Sequence, residues 1–307
     1  MDSSPDIVIE STDGALLEHV ASWAGVNARQ CQRAGGTFNP KARLLIHDAR
    51  QELPRSPLTT NTPSLTQVWL ASDLCKGLQM FAQSQYLFAL LSGPDALGPG
   101  ELAPLFVLPG RELTTDLFTR EPRSTFSGSI KEGEDHRQLV DKFQERIATI
   151  ESFPDFAAVI AGAALELVMN ATIDAPRAAQ KKVSHSKQSK NKGAAVLVDA
   201  SWDSSNLAIR VEDPWGSLSR QDVLESLQRA ARAGRDQILS GPEGAGIGLW
   251  MVLQSLDQLH YSVTPSQRTV VTGVIRITKK WRDFQRKVKL LSFDDVRLPS
   301  DHVTVTP

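Results

Sequence analysis

Three short stretches of this chain hold residue types whose spacing suits chemistry. In "ALELVMNAT", Glu166 and Asn170 stand four apart, so on a helix they share one face amid the apolar Leu165, Leu167, Val168 and Met169. A carboxylate and a carboxamide placed this way are either ligands at a site or an ordinary polar helix edge. In "IRVEDPWGSLS", Asp213 ends an apolar strand and Gly216 follows in a tight turn. A carboxylate there accepts a hydrogen bond from an exocyclic amine and repels a carbonyl oxygen in the same place, which discriminates between ligands; the plain alternative is an Asp-Pro turn. In "GPEGAGIGLWMVLQSL", Gly244, Gly246 and Gly248 precede an apolar run with helical spacing. Glycines at a helix entrance let backbone N–H groups approach an anion, and the helix N-terminus favours negative charge. A dinucleotide-binding turn would need a strand just before the glycines, whereas "RAARAGRDQILSGPE" reads as helix and loop.

The elements that must position these residues are legible from periodicity. A helix is expected over residues 154–174, strands at "AAVLVDAS" and "LAIRVED" around the turn "DSSN", a helix at "SRQDVLESLQRAARAG", and closing strands at "HYSVTPS" and "RTVVTGVIRITK". Strands and helices are segregated here, which predicts an α+β sandwich. A further helix, "HRQLVDKFQERIATIESF", precedes them. The first half alternates instead: strands "DIVIEST", "ARLLIHDA", "TQVWLAS" and "APLFVLPG", with helices "DGALLEHVASWAG" and "DLCKGLQMFAQSQ". Alternation predicts a small parallel α/β domain. "LSGPDALGPGELAP" reads as a Gly/Pro-rich loop, and the polar stretch after Arg111 as a linker.

Composition bounds the function. The 307 residues suffice for about two domains. A formal net charge of −1 argues against a generic nucleic-acid or membrane binder. The two cysteines, Cys31 and Cys75, lack metal-type spacing and point to a reducing compartment. The apolar stretch "FAAVIAGAAL" is short for a bilayer span, and no apolar signal region opens the chain, so a soluble cytoplasmic protein is expected. The loop at 177–192 has no acidic residue and no aromatic; it reads as a solvated loop rather than a nucleic-acid site.

Together, the order and spacing of the three stretches resemble the GHKL superfamily, the ATP-binding domains of sensor histidine kinases, anti-sigma-factor serine kinases, gyrase and related chaperones. Glu166 and Asn170 match the N-box E-x-x-x-N; Asp213 and Gly216 match the G1 box in part, "DPWGS" standing where D-x-G-x-G is usual; Gly244, Gly246, Gly248 and Leu249 match the G2 box G-x-G-x-G-L. The resemblance implies ATP and Mg²⁺ as cofactors. It implies Asn170 as the metal ligand, Glu166 as general base, Asp213 on the adenine amine, the three glycines around the phosphates, and Thr269 or Thr272 beside the base. Residues 219–240 would form the lid over ATP; Arg229, Arg232 and Arg235 stand on it at helical spacing, either as a solvated basic helix face or within reach of the phosphates.

Among GHKL classes, a histidine kinase needs a phosphoacceptor helix pair, and His136 stands too close to the N-box for one. A gyrase-type ATPase needs a following transducer domain, for which the residues after 280 are too few. The plan is nearest to the anti-sigma serine kinases. The N-terminal half resembles a response-regulator receiver: Asp48 ends "LLIHD", Ser72 ends "VWLAS", and Glu10 and Asp13 stand near the usual acidic pair, but no lysine follows "FVLPG". The expected organisation is an α/β receiver-like or partner-binding domain at 1–112, a linker at 113–134, a GHKL ATP-binding domain at 135–282 and a tail at 283–307. The expected function is that of an ATP-binding signalling protein: a serine/threonine or histidine kinase-like regulator, a slow ATPase, or a non-catalytic nucleotide-gated scaffold. A signalling protein and a second copy of the chain are the partners this implies, with no role for membrane or nucleic acid.

Overall fold

In the computed structural model the described residues are 7–10, 29–30, 44–48, 66–72, 74–83, 87–92, 114–115, 118–119, 124–131, 136–149, 156–182, 194–232, 247–277 and 289–295. In chain order the elements are β1 (Ile7–Glu10), β2 (Arg29–Gln30), β3 (Leu44–Asp48), β4 (Thr66–Ala71), α1 (Leu74–Gln83), β5 (Leu87–Ser92), β6 (Ser124–Ile130), α2 (His136–Ala148) and α3 (Ala157–Met169). A π-helical turn (Asn170–Asp174) follows, then α4 (Ala175–Lys182), β7 (Val196–Trp202), β8 (Asn206–Asp213), α5 (Arg220–Arg232), α6 (Ile247–Ser255), β9 (Gln258–Thr264), β10 (Arg268–Arg276) and β11 (Lys289–Asp295). The fold is mixed α/β. It divides into two compact units, each discontinuous in sequence. The first takes Met1–Arg111, Leu224–Gln258 and Lys280–Ser292; the second takes Glu112–Val223, Leu259–Lys279 and Phe293–Pro307.

The first unit is built on a six-strand mixed sheet in the order β2-β1-β3-β4-β5-β11. The first five strands are parallel, and β11 runs antiparallel to β5 with Leu290 opposite Leu91. Parallel strands covered on both faces read as apolar runs, and Leu45, Ile46, Val68, Leu70 and Leu90 are all buried. The helix α1 lies against β4 and β5. It buries Leu78 and Phe81, and Gly77 allows the approach, because a Cβ there would meet Leu90 Cδ1 at 2.8 Å and Ala71 Cβ at 3.0 Å. At the end of α6, the buried Lys289 donates from Nζ to the carbonyls of Gln254 (2.7 Å) and Leu256 (2.6 Å). A cation at a helix C-terminus meets the negative end of the dipole and the carbonyls the helix leaves unpaired.

The second unit is an antiparallel sheet, β9-β10-β8-β7-β6. The helix α2 packs on β6, and α3 packs on α2 and β8. Alternation sends Val198, Ala200, Ile209 and Val211 to one face of the sheet, on which Phe126 meets Phe143 with ring centroids 5.4 Å apart. Tight turns close the hairpins. Between β7 and β8, Asp203 Oδ1 accepts the N–H groups of Ser205 (2.6 Å) and Asn206 (2.7 Å). Between β9 and β10, the Gln267 N–H reaches the Thr264 carbonyl at 3.0 Å, with Pro265 second in the turn and Ser266 at φ 59°. Proline followed by a positive φ is the type II pattern.

Four strands differ from expectation. β2 pairs with β1 at Arg29–Gln30, where no strand is expected. β5 lies between the expected helix "DLCKGLQMFAQSQ" and the Gly/Pro-rich loop, where no strand is expected, and takes the first two residues of that loop; the expected strand "APLFVLPG" lies outside the described residues. β6 forms inside the polar stretch expected as linker: one aromatic and one aliphatic, Phe126 and Ile130, alternate with serines, too sparse a pattern to stand out without its partner β7. β11 occupies the expected tail, since "KLLSFDD" shows no alternation and its leucines are buried. The long helix also ends later than Asp174: with the π turn, Ala157–Lys181 makes a 25-residue helix long and apolar enough by composition to cross a membrane, with Ile160, Leu167 and Val168 buried inside the protein. Its last turns, in α4, take the start of the expected basic loop.

Candidate functional site

Asp213 closes β8 and is only 5% exposed. Its Oδ1 accepts the Trp215 N–H at 2.9 Å. Burial pushes its pKa up to about 6, against the pull of the Trp215 and Gly216 N–H groups and the neighbouring Thr269 hydroxyl; Glu212 adds a smaller push upward. Among the described residues no cation pairs with it. Two arginines of this sheet serve Glu212 instead: Arg210 pairs with Glu212 and Asp199, and Arg268 lies 3.8 Å from Glu212. Neighbouring strand residues point to opposite faces, so these pairs lie on the other side of the sheet from Asp213.

Thr269 stands opposite Asp213 in the β8–β10 register and is 1% exposed. It is near enough to favour the charged carboxylate, yet its buried Oγ1 completes no hydrogen bond. Thr272, the other threonine of the sequence reading, stands opposite Arg210. Three residues along a strand reverse the face, so Thr269 shares the Asp213 side and Thr272 does not.

The helix carrying Glu166 and Asn170 packs on that same strand: both α3 and the π turn contact β8. Glu166 is half-buried, and burial, with a smaller push from the Asp174 carboxylate, raises its pKa. Asn170 opens the π turn; its N–H reaches the carbonyls of Glu166 and Leu167. Among the described residues nothing hydrogen-bonds the Glu166 carboxylate or the Asn170 carboxamide. A π turn inserts one residue into the helix and recurs at functional sites.

Gly216 has φ +55°, and a Cβ on it would lie 2.2 Å from the Thr264 carbonyl, 2.7 Å from Gln267 N and 2.8 Å from Arg268 N. Its own carbonyl accepts the Ser266 N–H at 3.0 Å. The demand for glycine here therefore comes from the β9–β10 turn packed against it. Sequence reasoning missed Ser217: its buried Oγ donates to the Ala175 carbonyl at 2.8 Å, where the π turn ends. A serine in "DPWGSLS" carries no signal for a bond 42 residues away in sequence.

Of the glycine turn, Gly248 and Leu249 fall in the first turn of α6, both half-buried and within the first unit. Gly244 and Gly246 lie outside the described residues. The expected lid begins as α5, capped by Ser219, whose Oγ accepts the Asp222 N–H at 3.1 Å. Its Arg229 is exposed, while Arg235 lies outside the described residues. In the first unit, Glu10 and Asp48 end the neighbouring parallel strands β1 and β3, and Ser72 follows β4, exposed; Asp13 lies outside the described residues. His136 opens α2.

The second unit gathers polar groups that could meet a ligand. A buried carboxylate with no counter-cation beside an unsatisfied hydroxyl fits a polar, hydrogen-bonding base. The unengaged oxygens of Glu166 and Asn170 fit a hard cation, which takes oxygen ligands and keeps waters. Among the described residues no cluster of three or more histidine, cysteine, aspartate or glutamate side chains is arranged to hold a metal by itself. Mg²⁺ commonly takes one or two protein ligands and completes its shell from phosphates and water. No protein-family model matches the sequence, and no curated protein is similar enough to it to count as a relative.

Proposed function

We propose that this chain is an ATP-binding signalling protein of GHKL type, a kinase-like regulator or slow ATPase nearest in plan to the anti-sigma serine kinases. One observation carries the reading: a 5%-exposed Asp213 carboxylate, without a counter-cation among the described residues, faces a Thr269 hydroxyl that completes no hydrogen bond among them, beneath the helix that bears Glu166 and Asn170. A buried charge and an unfilled hydroxyl each cost stability, and an adenine amine would relieve both. Asp213 would accept the amine proton through the oxygen that Trp215 leaves free, and Thr269 would complete the polar edge. Asn170 would hold Mg²⁺, whose charge neutralises that of the phosphate oxygens. Glu166, its pKa already raised toward the working range of a base, would take the proton of water or of a substrate hydroxyl. The glycines 244, 246 and 248 are assigned the phosphates on their sequence alone.

For the N-terminal half, the parallel strand order β2-β1-β3-β4-β5 supports a receiver-like fold, being the order of flavodoxin-type doubly wound sheets. Lysine is absent after Ser92, where β5 ends. That favours a partner-binding use of this half, and it supports a second reading of the whole chain as a nucleotide-gated scaffold. A signalling protein and a second copy remain the proposed partners, and the cytoplasm the proposed location.

The test is a titration of the full chain with ATP and GTP, with and without Mg²⁺, followed by a hydrolysis assay. ATP should bind more tightly than GTP and respond to Mg²⁺. Asn170→Ala should lose the Mg²⁺ response, and Glu166→Gln should keep ATP bound while stopping turnover. Equal affinity for both nucleotides overturns the reading; binding without turnover selects the scaffold.

A further inference from the structure

The loop that ends in Ser217 and the turn that begins at Asn170 are joined by a short hydrogen-bond path. Ser217 is 4% exposed, and its Oγ donates to the Ala175 carbonyl at 2.8 Å. Ala175 in turn donates its N–H to the Asn170 carbonyl, the bond that closes the π turn. At the other end of the turn, the Asn170 N–H is held by the carbonyls of Glu166 and Leu167. The Ser217 end of the path is itself anchored. Gly216 admits no side chain and accepts the Ser266 N–H, and Trp215 donates to Asp213. Asp213 thus sits at one end of a rigid five-residue stretch and Ser217 at the other.

We infer that Ser217 is a positioning residue that sets the Asn170 carboxamide relative to the Asp213 carboxylate, and so sets the metal response of the nucleotide site. The inference rests on the ATP reading above and adds the residue that couples its two halves. Ser217 touches neither base nor metal; it acts through Ala175 and the π turn.

The experiment uses the full chain and three variants: Ser217→Ala, which removes the hydroxyl; Ser217→Thr, which keeps it; and Ser217→Cys, which keeps the size with a weaker donor. Amide hydrogen exchange over residues 170–176 is read without nucleotide, and ATP affinity is read with and without Mg²⁺. Ser217→Ala should exchange faster there by roughly three- to tenfold, the factor one net hydrogen bond supplies. Its Mg²⁺ enhancement of ATP affinity should fall by a similar factor, while its Mg²⁺-free affinity and its preference for ATP over GTP stay as in the wild type. Ser217→Thr should restore both, and Ser217→Cys should fall between, which keeps the test open if Ser217→Ala does not fold. Unchanged exchange, or a lower melting temperature with the Mg²⁺ response intact, overturns the inference alone. A wild type whose ATP binding ignores Mg²⁺ overturns the ATP reading and this inference with it.

Discussion

At Asp213, stability and ligand recognition pull in opposite directions. The folded carboxyl keeps its proton up to about pH 6, while an unperturbed aspartate ionises near 3.8. The folded state therefore holds the extra proton between those values. Its contribution to stability is full below pH 3.8, declines as pH rises and is gone above about pH 6. A shift of about two units corresponds to roughly 3 kcal/mol. Asp213→Asn should therefore raise the stability of the nucleotide-free chain at pH 7.5 by up to about 3 kcal/mol, yet weaken ATP binding by roughly 1–3 kcal/mol. Chemical denaturation at pH 4.5 and 7.5 checks the first part and a binding titration the second. His260 works in the other sense: buried and stacked on Phe118 at 5.5 Å, it has its pKa lowered to about 3, so its contribution is full above pH 6.5 and is lost as pH falls from there to about 3. Both chains carry His260, so the difference between them isolates Asp213. Gly216 gives a second contrast. Gly216→Ala should lose at least roughly 1–3 kcal/mol from the positive φ alone, with the clash against the Thr264 carbonyl added. Gly246→Ala, if that glycine serves phosphate, should lose ATP binding with little loss of stability; equal losses of stability in the two variants would place both glycines in packing.

Among the elements, α6 is capped by a side chain from a distant strand. Its nine residues are mostly apolar and contain no basic residue in the last turn to meet the dipole. Lys289, from β11, supplies that charge with two hydrogen bonds. Lys289→Met keeps most of the apolar stem and removes the ammonium. It should destabilise the chain by roughly 1–3 kcal/mol, with hydrogen exchange speeding up first in the last turn of α6. Protection unchanged there would mean that burial of Val252 and Leu253, not the cap, holds the helix end.

On the scale of the whole molecule, the first unit draws on stretches far apart in sequence. β11 pairs with β5 through Leu290 and Leu291 opposite Leu91 and Leu90, and Gln228 of α5 donates to the Leu78 carbonyl of α1 at 3.0 Å. Limited proteolysis confined to residues 112–123 should therefore leave two fragments that co-elute in native buffer on size-exclusion chromatography and separate in denaturant. If the C-terminal fragment elutes alone and still binds ATP, the β5–β11 pairing is not what holds the unit together.

The parts of this protein written plainly in its sequence are those governed by local period. The strands β7 to β10 and the helices α2, α3 and α5 stand where apolar runs and helical spacing put them; α2 buries Val140, Phe143 and Ile147 on one face, while β8, β9 and β10 are buried on both. The same logic put Glu166 and Asn170 on one helix face and Asp213 at a strand end. Period fails for β11, which buries the adjacent Leu290 and Leu291, for β5, whose "LFALLS" shows no alternation in sequence, and for β6, whose pattern rests on Phe126 and Ile130 alone. Nor does it choose between Thr269 and Thr272, since a strand's facing is set by the register with β8. The π turn, the hairpin packed on Gly216 and the Ser217–Ala175 bond also belong to the tertiary structure. Each depends on a partner tens of residues away, and a hydrogen bond between such groups leaves no periodic trace in the chain that forms it.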